Sequence, residues 1–113
     1  IRFTGIDTPE LKQTCIKEGI KDYCGETAKK ILIDKIADNT VECISEGKDQ
    51  YKRTLAECFV NNDSLSSYLV RSGYAFAYRK YSKKFIEDEN YAKANQIGMW
   101  SMKFEYPWDF RKK

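Results

Sequence analysis

Apolar positions along the chain change their period several times, and each change marks an element. Over 1–6, Ile1, Phe3 and Gly5 alternate with Arg2, Thr4 and Ile6, the two-residue period of a strand. Asp7-Thr8-Pro9-Glu10 ends it, because proline cannot continue a central ladder. Residues 11–24 are polar and read as an irregular surface loop. Over 26–38 the spacing of Ala28, Ile31, Leu32, Lys35 and Ile36 predicts a helix with one apolar stripe, with Glu26 in its first turn, where the helix dipole favours an anion. Two β-patterned runs follow, 40–45 and 51 or 52 to 60, joined by the polar turn Glu46-Gly47-Lys48-Asp49, and together they predict a hairpin. A short helix over 64–72 carries Leu65, Tyr68 and Leu69 on one face and stops at Gly73. Residues 74–81 read as a short extended aromatic segment, 85–97 as a last helix closed by Gly98, and the tail from Met99 as a clamp across the core. Strands and helices mix without βαβ regularity, so the predicted class is α+β.

The chain has 113 residues, which suits one domain with a modest core. At 42% hydrophobic and 33% charged it is too apolar for disorder. No apolar run approaches the roughly 18 residues of a membrane span, so no membrane partner is expected. Twenty basic against 17 acidic residues give a net charge of +3, which permits a polyanionic partner without requiring one. The absence of histidine removes every mechanism built on imidazole, including the Ser-His-Asp triad and the Cys-His nucleophile. Acid, base and nucleophile must come from Asp, Glu, Lys, Tyr, Cys or Ser.

Four cysteines, Cys15, Cys24, Cys43 and Cys58, form no C-x-x-C, which argues against a zinc knuckle or a thioredoxin-type motif. Sequence proximity suggests Cys15 with Cys24 inside one loop. Cys43 and Cys58 fall on the two hairpin runs, where cross-strand partners come close enough to bridge. Disulfides would place the chain in an oxidising compartment, whereas four free thiols would suit the cytosol.

Two stretches carry candidate chemistry. Arg2, Asp7, Thr8 and Glu10 gather a guanidinium and two carboxylates at one strand end, and the two carboxylates suit a hard divalent cation. The alternative is a surface ion pair of little energetic worth. Asp49-Gln50-Tyr51-Lys52-Arg53 brings an acid, a ring and two cations to the hairpin turn, with Arg53 able to meet a phosphate bidentately; the alternative is an ordinary charged hairpin tip. Jointly they fit phosphodiester hydrolysis: a cation and two arginines neutralise the phosphate while Glu10 activates water. Glu10-Leu11-Lys12 also matches half of another metal-nuclease pattern, which needs a core strand that Pro9 opposes. Tyr78 and Tyr81, interleaved with Arg79 and Lys80, are candidate platforms for unpaired bases, while Phe76 reads as core.

The segments Ile-Arg-Phe-Thr-Gly-Ile-Asp-Thr-Pro-Glu (1–10), Asp-Gln-Tyr-Lys-Arg-Thr-Leu-Ala (49–56), Leu-Val-Arg-Ser-Gly-Tyr-Ala (69–75) and Ile-Gly-Met-Trp-Ser (97–101), in this order, resemble the staphylococcal nuclease-like, or thermonuclease, family. The tail 104–111 looks like the extension of bacterial secreted members, which often carry cysteines placed like these four. The resemblance implies an OB-fold: a five-stranded barrel with three helices. It also implies calcium-dependent cleavage of DNA and RNA by a secreted or periplasmic enzyme. By position, Arg2 and Arg53 match the family's phosphate-binding arginines, Glu10 its general base, and Asp7 and the carbonyl of Thr8 its calcium ligands. Tyr51 matches the tyrosine near a terminal phosphate. Gln50 replaces a family lysine, for which Lys52 partly compensates. The family places two strands and a second calcium-binding aspartate before position 1. The resemblance therefore leads us to expect an N-terminally truncated barrel, either a fragment or one completed by dimerisation or strand exchange, with a single-stranded DNA or RNA substrate. A non-catalytic nucleic-acid- or protein-binding module, or an inactive fragment, is the alternative on the same fold.

Overall fold

The computed structural model describes residues 2–80 and 82–112. Its elements are mixed α+β, consistent with an OB-like fold. Strand β1 (Arg2–Phe3) runs parallel to β6 (Thr54–Val60), with Arg2 opposite Leu55 and Phe3 opposite Ala56. The chain then leaves that sheet. Gly5 turns it at a φ of +77°, where a Cβ would lie 2.6 Å from the Cβ of Ser82. Strand β2 (Ile6–Asp7) pairs antiparallel with β8 (Phe76–Ala77). The single strand read over 1–6 is thus two short strands in two sheets, because only glycine takes this bend without strain.

The loop read over 11–24 contains a hairpin. Strands β3 (Cys15–Lys17) and β4 (Ile20–Asp22) pair across Glu18 and Gly19, both at positive φ, 52° and 81°. That two-residue geometry matches strand twist. Four of its six strand residues are exposed to solvent, so no alternating apolar face betrayed it in the sequence. Helix α1 (Cys24–Ile36) begins two residues before the predicted start; Ala28 is buried while Ile31, Leu32 and Ile36 pack partly buried against the core. Strands β5 (Glu42–Lys48) and β6 form the predicted hairpin, with β5 running on through Glu46, Gly47 and Lys48 of the predicted turn and a register irregularity between Ser45 and Lys48. Short β7 (Asp63–Ser64) pairs with β6 and leads into α2 (Leu65–Arg71), whose N-cap Ser64 accepts from the Ser67 N–H at 3.2 Å. Helix α3 (Ile86–Ala94) ends three residues before the predicted limit, where Gln96 takes a φ of +51°. A 3-10 turn (Gly98–Ser101) and a short fourth helix, α4 (Pro107–Phe110), complete the described residues.

Both expected disulfides are present. Cys43 and Cys58 face each other in the β5–β6 register, and Cys15–Cys24 ties β3 to the start of α1. Replacing Cys43 and Cys58 by alanine, which opens a 15-residue separation, is expected to lower the unfolding free energy by about 3 kcal/mol in chemical denaturation.

The core has an aliphatic part and an aromatic part. Ile6, Leu69, Val70, Ala75, Ala77 and Phe85 form the first. In the second, fully buried Phe76 is ringed by Trp100, Phe104, Tyr106 and Trp108, with centroids 5.1–6.3 Å away. The tail is therefore the clamp the sequence suggested, and Phe76 is core.

On β6, buried Glu57 accepts from Ser64 Oγ at 2.7 Å and pairs with Lys84. Burial pushes its carboxyl up, but Lys84 and Ser64 outweigh burial and hold it below the ordinary glutamate value. A depressed carboxylate stabilises the fold above its unfolded pKa and loses that contribution as pH falls through the folded one. Lys84→Met should therefore be less stable than the parent at pH 7, and the gap in melting temperature should shrink as pH falls below the ordinary glutamate value of 4.5.

Candidate active site

The site is assembled where β2 ends. Asp7 follows Ile6 at the sheet edge with its carboxylate buried, 4% exposed. Pro9 stops the ladder and the chain turns, which places Glu10 at the rim, half exposed. The turn is pinned by Gln13, a buried amide. Its Oε1 accepts from the Glu10 N–H at 3.2 Å, its own N–H donates to the Glu10 carbonyl at 2.9 Å, and its Nε2 donates to the Glu105 carbonyl at 2.7 Å. Glu10-Leu11-Lys12 lies in this turn and not on a strand, as Pro9 required. The start of α1 packs directly beneath. The Gly25 N–H donates to the Gln13 carbonyl at 3.1 Å, and a Cβ at Gly25 would lie 2.0 Å from the Glu10 carbonyl oxygen.

One cavity of about 570 Å³ is lined by Arg2, Asp7, Thr8 and Glu10, with Lys29 of α1 on its wall and Leu32 and Leu69 at its apolar side. Arg2 approaches Asp7 to 3.9 Å. Four residues singled out in the sequence thus meet in one place. Lys29 had no signal in the sequence beyond its place on the polar side of the α1 pattern.

Arg53 is not on that cavity. It sits immediately before β6, two positions ahead of Leu55, the β6 partner of Arg2. Its guanidinium donates to Asp49 Oδ2 at 2.7 Å and lies 5.2 Å from the Tyr51 ring centroid. Asp49 organises the whole turn, accepting also from the N–H groups of Tyr51 and Arg53 at 2.8 and 2.9 Å. Burial pushes the Asp49 carboxyl up, but the Arg53 and Tyr51 donors outweigh burial and hold it below its ordinary value. Lys52 takes a φ of +66° and stays exposed, and Tyr51 is 69% exposed. Tyr78 stacks on Trp108, centroids 5.6 Å apart and planes at 13°. Tyr81 lies outside the described residues.

With Gln13 and Lys29, sequence reasoning also missed Arg111. It donates from Nη1 and Nη2 to both Asp7 oxygens, at 3.1 and 2.5 Å, and from Nη1 to Glu10 Oε1 at 2.9 Å. These hydrogen bonds, to Asp7 first, outweigh its burial and raise its pKa further above the ordinary arginine value, so it stays charged. Among the described residues, Asp7 and Glu10 are the only acids on the cavity, and no group of three or more His, Cys, Asp or Glu able to hold a metal occurs.

The family model described as "Staphylococcal nuclease homologue" matches residues 1–102. The chain belongs to the staphylococcal nuclease family. It is 31% identical over 103 residues to a protein of Haemophilus influenzae named "Uncharacterized endonuclease", covering 89% of this chain and 53% of that protein. It is 30% identical over 115 residues to a probable staphylococcal-like nuclease of Oryza sativa subsp. japonica, covering 99% of this chain and 28% of that protein. A staphylococcal-like nuclease of Arabidopsis thaliana is 28% identical over 115 residues, 99% of this chain and 33% of that protein. The chain therefore spans about half the length of the first of these relatives and a third or less of the others.

Proposed function

We propose that this chain is the catalytic domain of a secreted or periplasmic calcium-dependent nuclease that hydrolyses phosphodiester bonds in single-stranded DNA or RNA. The observation that carries this reading is the meeting of Arg2, Asp7 and Glu10 on one cavity, in a family whose relatives are named as nucleases. The two disulfides suit an oxidising compartment, and no described helix is long and apolar enough to cross a membrane. The closed five-stranded barrel belongs to the same proposal.

The donor chemistry suits calcium in kind. Asp7, Glu10 and the Thr8 carbonyl offer oxygen only, the preference of a hard cation. Their number is short of the six to eight ligands calcium takes, so substrate oxygens and water would fill the remainder. Calcium held there would supply Lewis-acid stabilisation of phosphate charge. The chain's own residues do the rest. Arg2 at the cavity edge neutralises a non-bridging phosphate oxygen. Glu10, the more exposed of the two carboxylates, accepts the proton of the attacking water. Buried Asp7 lies between the guanidinium groups of Arg2 and Arg111 and orients Arg2. Arg53 joins the clamp only when its pair with Asp49 opens, and Tyr51 and Lys52 at the same exposed turn meet the flanking phosphate.

The test is cleavage of single-stranded DNA and RNA oligonucleotides by the whole protein, in calcium and in a calcium chelator. Calcium-stimulated cleavage is expected. Salt-sensitive binding without cleavage would contradict the reading and favour the binding-module alternative. Gly25→Ala drives a methyl into the Glu10 and Leu11 carbonyls, at 2.0 and 2.7 Å. It is expected to cost about 1–3 kcal/mol of stability and, by displacing Glu10 by about 1 Å, about a hundredfold in turnover. Thermal melts and single-turnover kinetics read the two effects separately.

A further inference from the structure

The tail touches the site twice. Trp108 of α4 lies flat on Tyr78, and Tyr106 stacks behind it, centroids 4.7 Å apart and planes at 7°. Three residues further on, one helical turn along, Arg111 forks over Asp7 and reaches Glu10. The two anchor points are neighbours in the fold: Asp7 is opposite Phe76 in the β2–β8 register, and the Tyr78 N–H donates to the Gly5 carbonyl at 2.8 Å. One short segment therefore covers both a carboxylate pair and an aromatic face. This segment lies beyond residues 1–102, the part matched by the family model.

We propose that the segment 106–111 is an internal occupant of the site, with Arg111 standing where a divalent cation would sit, so that the tail and the cation bind Asp7 and Glu10 in mutual exclusion. Both Asp7 oxygens accept from Arg111, and Glu10 Oε1 accepts from the same Nη1. These are the oxygens that would hold a calcium ion, and the Arg111 guanidinium fills the space against them. Charge gives the same answer. With Arg111 docked, two carboxylates face two guanidinium groups and the cluster is neutral. With Arg111 withdrawn it carries one negative charge, which attracts a cation. Trp108 at the same time shields one face of Tyr78, so undocking uncovers a ring able to stack on a base. Docked and undocked tails thus correspond to a closed and an open site, and the concentration of divalent cation sets their ratio.

This inference rests on reading Asp7 and Glu10 as the metal side of the site, and its test is metal binding. Calcium chloride alone is titrated calorimetrically into the full chain, into Arg111→Gln and into Arg111→Lys. If the tail is open in about a tenth of molecules or fewer, Arg111→Gln should bind calcium about tenfold or more tighter than the parent. Arg111→Lys, which keeps the charge and loses the fork, should fall between them. Acrylamide quenching of tryptophan in the parent should rise on calcium addition as Trp108 leaves Tyr78. Equal or weaker calcium binding by Arg111→Gln, or no binding by any of the three proteins, overturns the proposal. The nuclease reading fails by a different result: absence of cleavage by the parent at saturating calcium, whatever the order of the three affinities.

Discussion

Replacing Glu10 with glutamine is expected to lower turnover on single-stranded DNA by about 10²- to 10⁴-fold, the usual share of a positioned general base. The amide keeps the size and most of the hydrogen bonding of the carboxylate. It cannot take a proton from water. Arg111 Nη1 still finds an oxygen acceptor at this position, and the Gln13 contacts use the backbone of residue 10, so the turn should hold its shape. Oligonucleotide affinity should change far less than turnover, which separates a chemical role from a binding role. A fall in affinity with turnover unchanged would mean that Glu10 only helps shape the cavity.

Phe76→Ala is expected to cost about 3–5 kcal/mol of unfolding free energy, the range for deleting a large ring from a packed interior. Phe76 is fully buried, and the rings of Trp100, Phe104, Tyr106 and Trp108 all pack on it. Four partly exposed rings cannot collapse into the space one buried ring leaves. The consequences extend to the site, because Phe76 is the β-bridge partner of Asp7 and the floor of the tail that carries Arg111. Urea denaturation monitored by tryptophan fluorescence should show the loss as a lower midpoint. A midpoint shift corresponding to less than about 1 kcal/mol would mean that the aromatic part of the core is not a stabilising unit.

Much of this architecture is legible in the sequence, for identifiable reasons. The β5–β6 hairpin is announced by two β-patterned runs around a polar turn, and its register puts Cys43 opposite Cys58. The α1 stripe is announced by the spacing of Ala28, Ile31, Leu32 and Ile36. Arg2, Asp7, Thr8 and Glu10 lie within nine residues, so one strand and one turn bring them together. What the sequence hides depends on backbone angles or distant chain. The bend at Gly5 splits an apparently regular strand. The β3–β4 hairpin is solvent-exposed along most of its length and so has no apolar period. Arg53 shares a strand neighbourhood with Arg2, but its side chain follows Asp49, a local contact that pattern reading does not weigh. Gln13 pins the Glu10 turn locally and ties it to Glu105 across 92 positions, and Arg111 reaches Asp7 across 104 positions; no periodicity encodes such pairings.

The most direct test of the central claim is a backbone-amide NMR titration of the full chain with a short single-stranded phosphorothioate DNA in the presence of calcium. The account predicts that the largest shifts fall on residues 2–10, with the Gly25–Lys29 start of α1 following and the β3–β4 hairpin unmoved. Shifts concentrated on the β3–β4 hairpin or on the outer strand β5, with residues 2–10 unchanged, would contradict it.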